Sequence, residues 1–153
     1  MLHRLRWRQL ALCSVVGLIG LAAAASVATA DPDPLVAGEA TFASIGVQVR
    51  ISAHADPARG HFFLQQGAFT VDGTVTCINV VGNQAAVGGV IESSSDPSLG
   101  GTGFVQFVED NGSPGDTDFS QTIFVGTPPT TCPVPIHPFF QVEQGNYVIK
   151  GAS

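Results

Sequence analysis

The densest group of side chains able to do chemistry is Asp110–Asp118, DNGSPGDTD. Asp110, Asn111, Asp116 and Asp118 offer oxygen ligands within one short loop, and Glu109 adds another carboxylate beside it. Calcium takes six to eight hard oxygen ligands, and Gly/Pro turns let backbone carbonyls join them. The expected metal ligands, if calcium binds, are therefore Asp110, Asp116 and Asp118. The spacing is not that of an EF-hand, and the competing reading is an ordinary turn in which Asp and Asn bond their own backbone.

A second group, His54, Asp56 and His61, flanks a turn at Asp56-Pro57. If the two imidazoles pair across it, they form a weak transition-metal set with Asp56; the alternative is a pair of turn-flanking histidines. His137, between Ile136 and Pro138, reads as structural. No G-x-S-x-G, H-E-x-x-H or S-x-x-K pattern is present, so no nucleophile or zinc motif announces hydrolysis. A pair such as Glu109 and Asp118 could act as acid and base on a glycoside only if one sat in an apolar pocket.

The chain has 153 residues, with 12 acidic and 6 basic side chains. Arg4, Arg6 and Arg8, an apolar run from Leu10 to about Ala25, and Ala28-Thr29-Ala30 form the three parts of a secretory signal, expected over 1–30. The run falls short of the roughly 20 residues of a spanning helix, which argues against an uncleaved anchor. Removal would leave 12 acidic against three basic residues (Arg50, Arg59, Lys150), a net charge of −9. Such a surface is not built for nucleic acid. Cys77 and Cys132 then remain, an even number that an oxidising compartment would join, the alternative being two buried thiols.

The elements that must position these groups read as strands. Gly and Pro interrupt the mature segment every few residues, separating short runs rich in Val, Ile, Phe and Thr. Strands are expected near 39–44, 46–54, 61–66, 68–81, 84–92, 104–109, 118–125 and 145–150. The clearest alternation is Val47, Val49, Ile51 and Ala53 against Gln48, Arg50, Ser52 and His54. The fold class is all-β: an antiparallel β-sandwich of Ig-like or Greek-key type with about seven to nine strands, or a partly closed barrel. A flexible tail is expected over 31–38 and a single domain over 39–153. Asp72-Gly73 carries a tight-hairpin signal, and Gly88-Gly89 one for a bulge or close approach within a strand.

Several of these segments together resemble a known group. They are Ala53-His54-Ala55, Ala58-Arg59-Gly60-His61-Phe62, Gly73 to Ala85 (GTVTCINVVGNQA), Gly88-Gly89, Asp110 to Gly115 (DNGSPG) with Asp118-Phe119, and Gly145 to Lys150 (GNYVIK). In this order they resemble small exported bacterial modules termed post-COAP-1-like, across nearly all of 39–150. The resemblance implies membership of an exported module family and assigns no activity. The expected function is thus a secreted or wall-associated, non-enzymatic binding or structural module. Its contacts would lie in loops 93–103, 110–118 and 126–138, and its partner would be a cell-surface polysaccharide or protein. A small secreted hydrolase using surface carboxylates and a carrier of a small apolar ligand are the alternatives.

Overall fold

The structure, a computed structural model, describes residues 33–112 and 117–151. The expected signal segment 1–30 lies outside these residues, as does Asp116. Nine strands follow in chain order: β1 (Leu35–Phe42), β2 (Val47–Ala55), β3 (Ala58–Gln66), β4 (Phe69–Val81), β5 (Gln84–Ser94), β6 (Gly103–Glu109), β7 (Phe119–Val125), β8 (Phe140–Gln141) and β9 (Gln144–Lys150). All neighbours pair antiparallel in one sheet, ordered β8-β7-β6-β5-β4-β3-β2-β1-β9.

The sheet is curled into a half-barrel. The expected second sheet facing the first does not form among the described residues, because each strand pairs with its sequence neighbour and β9 returns to β1. The inward alternation of a sandwich and of a curled meander is the same, so the pattern alone does not separate them. Leu35–Gly38, expected as tail, already belongs to β1. Val36 is fully buried and the strand pairs with both β2 and β9.

The two faces of the sheet have separate cores. Inside the curl lie Val36, Val49, Ile51, Val87, Val108, Tyr147 and the stacked rings of Phe62 and Phe104, whose centroids are 4.2 Å apart. On the opposite face Cys77, Ala86, Val105, Phe107 and Cys132 form a smaller cluster. A bulge explains how Cys77 reaches it. Val75 pairs with Gly89 and Cys77 with Gly88, so Thr76 is the extra residue and the strand's facing is inverted beyond it. Val75 consequently packs inside and Cys77 outside.

Gly88-Gly89 opposite the bulge fits the expected close approach. A Cβ on Gly89 would stand 2.6 Å from the Phe104 ring, and one on Gly88 would stand 2.9 Å from the Cys77 sulfur. The Asp72-Gly73 hairpin signal is not realised. The turn falls at Gly67-Ala68, and Asp72-Gly73 lies within β4 at a second register shift. There a Gly73 Cβ would meet the Phe104 ring at 2.8 Å, so space rather than turn geometry demands the glycine.

The Cys77–Cys132 disulfide forms, with Cα atoms 5.3 Å apart and a sequence separation of 55. It pins the long 126–138 loop over the outer face of β4–β6. Thr76 Oγ1 donates to the Pro129 carbonyl at 2.5 Å and Asn79 Nδ2 to that of Pro133 at 3.0 Å.

Candidate functional site

The half-barrel has two edges, and they are finished differently. On β9, Tyr147 N–H donates to Asp118 Oδ2 at 2.7 Å and Ile149 N–H to Asp110 Oδ2 at 2.8 Å. The remaining oxygens bind their own loop: Asn111 N–H donates to Asp118 Oδ1 at 3.0 Å and Gly112 N–H to Asp110 Oδ1 at 2.9 Å. Two carboxylates thus cap the outward donors of an edge strand and tie it to the β6–β7 loop, which blocks pairing with any further strand. The chain between β8 and β9 completes this end, with Val142 N–H donating to the Asp118 carbonyl and Glu143 N–H to that of Thr41.

Asp110 and Asp118 thus each bind a different β9 amide, and each of their carboxylate oxygens already accepts a backbone N–H. Among the described residues no three His, Cys, Asp or Glu side chains gather as a metal set. A cation here would have to share those oxygens with four N–H donors. Melting curves in 1 mM calcium and in chelator are expected to agree within about 1 °C, against the several degrees that a site of micromolar affinity would add. The histidine group does not assemble across the turn. His54 pairs with Arg59, and His61 with Ser52 and Thr74, its Nε2 lying 3.2 Å from Asp72 Oδ1.

Glu109, which sequence reading placed beside the carboxylate loop, anchors the outer loop instead. Its Oε2 lies 2.7 Å from His137 Nδ1 and accepts from Gln84 Nε2 at 2.7 Å, and its Oε1 accepts from Asn111 Nδ2 at 3.0 Å. The imidazole also packs on Phe119, with ring centroids 4.9 Å apart. Burial by itself would raise the Glu109 carboxyl, but the bonds from His137, Gln84 and Asn111 together outweigh it and hold its pKa below the ordinary glutamate value. A folded pKa below the unfolded one means stabilisation that is complete above about pH 4.3 and lost as pH falls through the lowered value. Stability measured from pH 7 to pH 3 is expected to decline on that acid limb, and Glu109→Gln to flatten the decline.

The other edge is open. β8 covers β7 only at Phe119 and Ser120, leaving Gln121–Val125 without a strand on that side. Alongside lies an apolar cleft of about 140 Å³ where the half-barrel does not close. One wall is Phe42, Ile45, Val47, Val49 and Leu64 from the β1–β2 hairpin and β3; the other is Ser120–Thr122 of β7, with Phe140 adjoining. Behind it runs a polar chain within the core. Tyr147 Oη and Ser120 Oγ are 3.1 Å apart, Gln106 Nε2 donates to Ser120 Oγ, and Thr122 Oγ1 donates to Gln106 Oε1. Burial raises the Tyr147 phenol, so it stays protonated and serves as a fixed hydrogen-bonding group.

The open edge belongs to an unusual stretch. Residues 119–142 contain no Asp, Glu, Lys or Arg, in a chain with 18 such residues. Among the described residues nine large hydrophobics are exposed, and six come from this stretch: Ile123, Phe124, Val134, Ile136, Phe139 (77% exposed) and Phe140 (50%). The sequence signal for this was the uncharged gap between Asp118 and Glu143. Comparison with family models, curated proteins and solved structures gives no match to this chain.

Proposed function

We propose that the protein is a non-enzymatic, exported binding module whose contact surface is the open β7 edge, its cleft and the uncharged 119–142 segment. The observation that carries this reading is the concentration of exposed apolar side chains in a segment without charge. Soluble monomers rarely expose large apolar patches unless they bind something. Export is supported by the basic-apolar-small opening of the chain and by a disulfide-joined scaffold. The resemblance to small exported bacterial modules points the same way.

The geometry favours a binding module over the two alternatives. A drug-sized ligand needs roughly 300 Å³ or more. The cleft, at about 140 Å³, is matched to one apolar side chain rather than to a carried molecule. A hydrolase would need a carboxylate free to exchange a proton with substrate. Asp110 and Asp118 are engaged with backbone N–H groups and Glu109 with three side chains. An extended backbone with an apolar residue at alternate positions is the chemistry that an open strand edge beside such a cleft would recognise.

Panning the purified protein against a random peptide library tests this. Enriched peptides should alternate apolar residues, lack acidic ones, and lose at least tenfold in affinity against Phe140→Asp. Peptides that bind this variant equally well would overturn the reading, as would the absence of any enrichment by a protein that stays monomeric.

A further inference from the structure

We propose that the partner of the open β7 edge is a second copy of this chain, the two β7 strands pairing antiparallel about a two-fold axis. This rests on the reading of 119–142 as the contact surface and names its occupant. Three observations point to it.

The first is the asymmetry of the edges. The β9 edge is capped by Asp110 and Asp118, whereas Gln121–Val125 of β7 carries neither the Lys, the Pro nor the inward carboxylate by which edge strands avoid pairing. The second is charge. The chain carries a net charge of −6, so two copies repel over most of their surfaces. Residues 119–142 are the longest interval in which they can meet without like charges. The two acidic residues bounding it are both engaged, Asp118 with backbone N–H groups and Glu143 with Ser44. The third is symmetry. Antiparallel edge pairing is self-complementary, so each hydrogen bond of one strand is made again by the other, which is what an isologous two-fold contact requires. The strand itself, FSQTIFV, is a β-prone, uncharged segment whose exposed Ile123 and Phe124 lie on opposite faces of the sheet. A dimer would thereby cover apolar surface on both.

Sedimentation velocity of the purified protein from 1 to 500 µM tests the proposal. The expected result is a concentration-dependent shift to twice the monomer mass. Ile123→Lys and Ile123→Glu should each weaken association at least tenfold with unchanged far-ultraviolet circular dichroism, and mixing the two variants should restore it through the opposed charges. Val81→Lys, at an exposed position at the end of β4 and outside 119–142, should associate as the parent does. A parent chain that stays monomeric throughout, or an Ile123→Lys variant that associates like the parent, would overturn the proposal. Peptide capture by a monomeric parent would leave the contact-surface reading standing with a different partner. Failure of both association and peptide capture would remove the two together.

Discussion

Replacing Asp118 with alanine is expected to destabilise the protein by about 4 kcal/mol, the largest effect of any single carboxylate. Asp118 is nearly buried, at 4% exposed, and its two oxygens receive the Tyr147 and Asn111 N–H groups at 2.7 and 3.0 Å. Hydrogen bonds to a charged acceptor contribute roughly 1.5–3 kcal/mol each, and a donor left unpaired in the interior retains its full desolvation cost. Tyr147 is fully buried, so no water replaces the lost oxygen at that N–H. For a domain of this size, about 4 kcal/mol corresponds to a drop in Tm on the order of 15 °C. Asp118→Asn should recover less than half, because its amide group presents a donor where one N–H requires an acceptor. Asp110→Ala, at a half-exposed position, should cost less, about 1–2 kcal/mol. Thermal and urea melts check all three, and equal effects of the Asp110 and Asp118 changes would contradict the role of burial.

Loss of the Cys77–Cys132 bridge is the second large effect. Its sequence separation of 55 residues sets a loop-closure contribution of about 4 kcal/mol in the chain-entropy treatment. The consequence should be local as well as global. Without the sulfur anchor the 126–138 loop keeps the Thr76, Asn79 and Glu109 contacts, all near its ends or on the surface. The inner core around Phe62 and Phe104 lies on the other face of the sheet and does not depend on the loop. The Cys77→Ala/Cys132→Ala variant is therefore expected to stay folded with a much lower Tm, while proteolysis concentrates in 126–138. Unchanged cleavage in the loop would show that the remaining contacts suffice to hold it.

Much of the sheet is legible in the sequence, and the reasons are local. Val47–Ala53 alternates cleanly because one face of β2 meets the core and the other meets water. Gly82-Asn83 falls where β4 turns into β5. What is not legible depends on partners far along the chain. The carboxylates of DNGSPGDTD look alike whether they cap a strand or hold calcium, since both tasks need Asp and Asn on a glycine-rich turn. Only the arrival of Tyr147 and Ile149, some 30 to 40 residues later, distinguishes them. The two residues of β8 carry no period that could be read. The bulge at Thr76 inverts β4 without any change in composition, so the apolar residues on both faces of Thr74–Val81 suggest an interior strand but not the switch that delivers Cys77 to the outer cluster.

One edge of the half-barrel is sealed by two carboxylates, and the other is the edge proposed to take a partner. Amide hydrogen exchange, resolved by residue and measured at low micromolar concentration, tests this contrast most directly. Tyr147 and Ile149 amides should be protected although they point away from β1 on an edge strand, and the outward-facing amides within Gln121–Val125 should exchange orders of magnitude faster. Rapid exchange at Tyr147 and Ile149, or uniform protection across Gln121–Val125 in the dilute protein, would contradict the account.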